Sequence, residues 1–167
     1  TTILEQTQSQ HLRYILGVDC RTFAAAVRAE LEIHTIQALS KIGAYNYWCK
    51  VNEMETDRLP KLCLLEQIKL QSQTSWTIKL TNLVRSCGLP ISCVPGEQLK
   101  KRVAQRIKDI DGQTDIAILS KVGNLKWLSK YKCTFQADSY LKSQLPKHLR
   151  EIFTRARFEQ IDTMVRY

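Results

Sequence analysis

Apolar residues recur at helical spacing in every patterned stretch of this chain and nowhere alternate with period two, which confines the fold to helices. The clearest case is Ser75 to Cys87, where Trp76, Leu80, Leu83, Val84 and Cys87 stand at i, i+4, i+7, i+8 and i+11. That stripe is expected to be core, and Gly88 followed by Pro90 ends the helix. Hairpin dipeptides such as Asn-Gly are missing, and no repeat of fixed period is visible. An all-α helical bundle of roughly seven to nine helices is expected. Its 167 residues suffice for one full core or for two packed subdomains. Hydrophobic residues at 44% and charged residues at 25% describe a chain that folds.

Taken in order, Leu4, Leu12, Ile15 and Leu16 form the apolar stripe of a first helix that Gly17 stops. Thr22 is the expected cap of a second helix, with Val27 and Leu31 inward and Arg28 and Glu30 toward the edges. Thr35 should cap a third, running to about Val51, with Ile36, Leu39, Ile42, Gly43 and Cys49 inside. Trp48 beside Lys41 could stack a base next to a phosphate contact, but packing on a neighbouring helix is the favoured reading. Pro60 suits the first turn of a short helix carrying Leu62, Leu65 and Ile68 or Lys69. The uncharged, turn-rich segment Cys87 to Gly96 is the expected boundary, dividing a subdomain 1–88 from a basic one, 89–167.

Beyond that boundary, Leu99, Val103, Ile107 and Ile110 form the inner face of a helix expected to end at Asp109-Ile-Asp111-Gly112. Another should open at Thr114 or Asp115 and run to Val122. Lys126, Lys130 and Lys132 interleave with Trp127, Tyr131 and Phe135, either to bind a single strand by stacking and charge or as a buried aromatic cluster rimmed by lysines. A last helix begins near Pro146, with Leu149, Ile152, Phe153 and Ala156 expected inside.

Twenty-five Lys and Arg against sixteen Asp and Glu leave a net charge of +9, which attracts polyanions. Two patches concentrate it: Lys101, Arg102, Arg106 and Lys108, then Lys147, Arg150 and Arg157 with Thr154 in one stripe of the last helix. With Lys126 and Lys130 these are the candidate phosphate-contacting residues. Catalysis finds no support: there is no aromatic-x-Asp-Asp pair, P-loop, H-E-x-x-H or G-x-S-x-G. The six cysteines, at 20, 49, 63, 87, 93 and 133, include no C-x-x-C pair, so no zinc or other cofactor is expected. They read as small buried residues of a reducing compartment, and the absence of long apolar runs points to an intracellular protein, in cytoplasm or nucleus, without membrane partners.

The pattern Arg13, Leu16-Gly17, Thr22, Ala25-Ala26, Arg28 and Glu30-Leu31, followed by Tyr47-Trp48, Asp109-Ile110-Asp111, Tyr140-Leu141 and Ala156-Arg157-Phe158, resembles the region after the palm in reverse transcriptases of non-LTR retrotransposons. The chain departs from that family at Val18-Asp19 and Phe23-Ala24, where prolines are usual. The resemblance implies a helical thumb and connector that grip template and primer (RNA, DNA or a hybrid) by the backbone, beginning mid-domain, with the catalytic acids on another part of the polymerase. The competing expectation is an all-helical protein-interaction domain, co-opted from such an element or unrelated to it.

Overall fold

The computed structural model describes residues 2–70, 75–89 and 96–160, without the side chains of Asn124, Lys126 and Trp127. Among these residues there are nine α-helices and no strand: α1 (Thr2–Leu16), α2 (Ala24–Leu31), α3 (Ile36–Glu53), α4 (Leu59–Leu70), α5 (Trp76–Ser86), α6 (Glu97–Leu119), α7 (Lys126–Tyr131), α8 (Ser139–Lys142) and α9 (Lys147–Arg157). A 3-10 turn, Gly123–Leu125, precedes α7. The all-α expectation and its helix count hold.

The chain divides into two compact units. One is formed by Thr1–Gln37 with Ile110–Tyr167, the other by Ala38–Asp109. The expected connection at 90–95 lies outside the described residues, as does Cys93. The expected break at Gly112 is also absent, since α6 continues for 23 residues. Gly112 is there because of a neighbour: a Cβ at this position would lie 2.7 Å from Cγ of Phe135. Glycine inside a helix costs about 1 kcal/mol relative to alanine. Here that cost is offset by the ring packed on the bare backbone, and Phe135 also stacks on His34 with centroids 4.9 Å apart.

In the discontinuous unit the core gathers Leu12 and Leu16 of α1, Ala26, Val27 and Ala29 of α2, and Leu119, Leu125, Leu128 and Phe158. Small alanines let α2 approach closely. Leu4 and Ile15, expected inside, are 56% and 48% exposed. Gly17 ends α1 at φ +66°, a conformation open to residues without a Cβ, and Val18 N–H donates back to the Arg13 carbonyl at 3.1 Å. Thr22 does not cap α2: Phe23 occupies the cap position and offers no side-chain bond. Instead the Thr22 carbonyl accepts from Arg13 Nε at 2.8 Å and its hydroxyl from Gln160 Nε2 at 2.6 Å, which ties the elbow down.

The same unit supplies the start of α3 with two carboxylate acceptors. Asp111 accepts from Thr35 N–H at 3.0 Å and from the Thr35 hydroxyl at 2.6 Å, and Glu5 accepts from Gln37 N–H at 2.8 Å. Carboxylates thus satisfy open amides at a helix N-terminus, the end that favours negative charge. Asp111 is therefore a cap from afar.

The continuous unit packs Ala38, Tyr45 and Cys49 of α3 against Leu80, Val84 and Cys87 and against Val103 and Ile107 of α6. The α5 stripe is core as expected, with Trp76 and Leu83 partly buried on its edges, and Ser75 caps the helix by accepting from Thr77 N–H at 3.3 Å. On α3 the buried face is rotated from the expected one: Tyr45 is inside while Leu39 and Gly43 are exposed. Trp48 packs on Tyr45 with ring centroids 5.6 Å apart, the core role favoured for it. Helix α4 buries Leu64 and leaves Leu62, Leu65 and Ile68 exposed, contrary to expectation. The described cysteines are all free thiols, but only Cys49 and Cys87 are buried; Cys20, Cys63 and Cys133 are exposed.

Candidate nucleic-acid interface

The cations singled out in the sequence meet different fates. On α6, Lys101, Arg102 and Arg106 are exposed and Lys108 half-exposed. One helical turn separates Arg102 from Arg106, which places both guanidiniums on a single outward strip. Neither these two nor Lys108 has a carboxylate partner among the described residues, and Lys101 has only Glu97 at 4.0 Å. Lys100, by contrast, is held by Glu53 at 2.7 Å. These outward cations belong to the continuous unit, apart from Lys130, Lys147, Arg150 and Arg157 in the other.

Lys130 is exposed and sits over the ring of Tyr131 at 5.6 Å. Lys126 and Trp127 lie on α7, with side chains outside the described set. The interleaved aromatics do not act alike: Phe135 is packed on Gly112 and His34, while Tyr131 is 56% exposed.

The last helix reverses the expected orientation. Leu149, Ile152 and Phe153 are 39%, 52% and 56% exposed, and Ala156 is exposed with them. The inner side carries Thr154 and Arg157 of the polar stripe, with Thr154 1% exposed, while Phe158 just past the helix is 2% exposed. What draws it inward is Glu30 on α2, wholly removed from solvent. Arg157 Nε lies 2.8 Å from Glu30 Oε1, and its terminal nitrogen lies 2.6 Å from Asp138 Oδ2. Lys132, with a side chain 3% exposed, reaches Asp138 at 2.9 Å and Glu30 at 3.7 Å and also donates to the Gln136 carbonyl. Tyr140 donates its hydroxyl to Glu30 at 2.6 Å, shares a 3.0 Å bond with Thr154, and lies under the Arg157 guanidinium at 5.6 Å.

Two carboxylates and two cations balance, so the cluster carries no net charge. Burial acts to raise the Asp138 carboxyl, but the hydrogen bond from Lys132 and the charges of Lys132 and Arg157 outweigh it and hold the group below its ordinary value. Burial first, then the bond to Glu30, push the Tyr140 phenol well above its usual range. Arg157 is thus an internal ion-pair partner and not the free surface cation expected of it. A second ion pair, Arg28 with Asp115 at 2.8 and 2.6 Å, is bidentate and similarly enclosed.

These interior charges escaped the sequence reading, although one signal was present. Glu30 stands four residues after Ala26 and three after Val27, on the stripe those residues carry into the core. An acid on a core stripe requires a buried cation, and Lys132 and Arg157 supply it.

Arg150 differs from Arg157. It has no carboxylate partner among the described residues, and it lines a groove of about 360 Å³ bounded by Tyr14, Ile15, Leu31, Leu141 and Lys147. Lys147 itself is 75% exposed and 3.7 Å from Glu151. Among the described residues no cluster of His, Cys, Asp and Glu could hold a metal ion, and no helix is long and apolar enough to cross a membrane. No protein-family model, curated protein or solved structure matches the chain.

Proposed function

We propose that this chain is a non-catalytic helical domain of, or derived from, a non-LTR retrotransposon reverse transcriptase, and that it grips template or primer nucleic acid through backbone phosphates. The observation that carries the nucleic-acid reading is the outer strip of α6. There Arg102 and Arg106 stand exposed with no carboxylate among the described residues to neutralise them, in a chain of net charge +9. Unpaired guanidiniums one turn apart suit successive phosphate oxygens, and contacts of that kind position a duplex without reading its bases. The retroelement origin rests on the ordered resemblance from Arg13 to Phe158.

The test follows from counterion release. Arg102→Ala and Arg106→Ala, singly and together, should each weaken binding to unrelated duplexes alike and lower the salt slope by about one unit, with the melting temperature unchanged. Parental affinity in the double variant would reduce the strip to a solvated face. No binding at low salt by the unaltered chain would favour a protein-interaction domain. Arg157→Ala is no substitute for these variants, since it would strip a partner from Glu30.

A further inference from the structure

We propose that the groove between α1 and the start of α9 holds one nucleotide unit of a single strand, its phosphodiester on Arg150 and its base against Tyr14. The proposal rests on the nucleic-acid reading above and assigns it a second, chemically distinct contact. At about 360 Å³ the groove is near the small end of ligand sites, fit for one nucleotide and too small for a duplex. Its lining combines the apolar Ile15, Leu31 and Leu141 with cations at one side.

Charge selects the ligand. Lys147 and Arg150 contribute two positive charges and Glu151 one negative, so the groove carries a single net positive charge. Glu151 lies 3.7 Å from Lys147, while Arg150 has no carboxylate partner among the described residues. A guanidinium without a carboxylate partner at the wall of a groove favours an anionic oxygen as its acceptor. One net charge matches a phosphodiester, which bears one negative charge, better than a terminal phosphate near neutral pH. Tyr14, 79% exposed on the rim, presents a ring with no internal packing duty, as a base-stacking residue requires.

The experiment titrates the full chain with the dinucleotide TpT and, separately, with inorganic phosphate. Arg Nε–Hε and tyrosine ring signals are followed by NMR, and duplex binding is measured in parallel. TpT should shift the Arg150 Nε–Hε and Tyr14 ring signals saturably, and inorganic phosphate should bind more weakly and leave Tyr14 unmoved. Tyr14→Ala, a surface change, should weaken TpT roughly tenfold. Arg150→Lys keeps the charge but loses the planar fork, and should also weaken it.

An Arg150 signal indifferent to saturating TpT, or equal TpT affinity in Tyr14→Ala, would overturn the assignment. If salt-dependent duplex binding survives in that case, only the groove proposal falls. If duplex binding is absent as well, the nucleic-acid reading falls with it. Phosphate binding as tightly as TpT would also overturn the proposal, by showing a site for simple anions.

Discussion

Helices α5 and α9 have the same length and similar amphipathic patterns, yet they face opposite ways. On α5 the apolar stripe is inside, because Leu80 and Val84 meet Val103, Ile107 and Cys49 and nothing charged competes. On α9 the apolar stripe is outside, because Glu30 and Asp138 are already in the interior and require Arg157, while Thr154 completes the bonds of Tyr140. Burying three apolar side chains on α9 would gain about 1.5 to 3 kcal/mol each at most. Leaving Glu30 and Lys132 in the interior without Arg157 would cost several kcal/mol. The pattern of a helix states that it has two faces; the charge already buried decides which is the inner one.

Breaking the cause of the reversal should have the largest effect. Glu30→Ala leaves Lys132, and in part Arg157, without their central partner, and should lower unfolding free energy by about 3 to 5 kcal/mol in urea titration. A loss below about 1 kcal/mol would show that something else orients α9. Leu80→Ala on α5 should cost about 3 kcal/mol by transfer and cavity terms, whereas Ile152→Ala on α9 should change stability by under about 0.5 kcal/mol. Similar costs for the two would abolish the contrast.

Gly112→Ala is informative because propensity and packing disagree there. The helix would gain about 1 kcal/mol, but the new Cβ must displace Phe135 from its place against His34, so we expect a net loss of roughly 1 to 2 kcal/mol. A more stable variant would mean that the ring yields easily.

The smallest effect is a pH dependence. Asp138 has a carboxyl held below its ordinary value of 3.8, so the unfolded chain binds its proton first as pH falls. Its contribution is therefore fully present above that value and is lost as acidity passes below it. The side chain is 32% exposed, so solvent screening keeps the contribution small. Asp138→Asn should lower stability near neutral pH and flatten its fall in acid, read from urea midpoints between pH 6 and the acid limit. An unchanged acid limb would place the titration elsewhere.

The extent to which the chain could be read without its structure differs between elements for physical reasons. Periodicity located the helices because backbone hydrogen bonding and side-chain spacing are local. It failed on the inner faces of α3, α4 and α9; on α9 a distant residue sets the outcome, as Glu30 does for Arg157 across 127 positions. Asp109-Ile-Asp111-Gly112 resembles a helix end in isolation; the ring that keeps the helix going is Phe135, more than twenty residues later. Of the candidate contacts, the α6 strip was legible because its cations outnumber nearby acids locally. Arg150 and Arg157 were indistinguishable in the same stripe, since only three dimensions show that one has carboxylates and the other a groove.

The interrupted unit has a consequence for the order in which the chain can fold. Everything that packs in Ala38–Asp109 is contiguous, so once Asp109 has left a ribosome this unit has all its partners. The first helices have to wait: Arg28 needs Asp115, Glu30 needs Lys132 and then Arg157, and the elbow after α1 needs Gln160. Closing those long loops is slow compared with local helix pairing. The helices made before Ala38 are thus among the last to settle, and a chain halted before α9 keeps Glu30 short of its nearest cation.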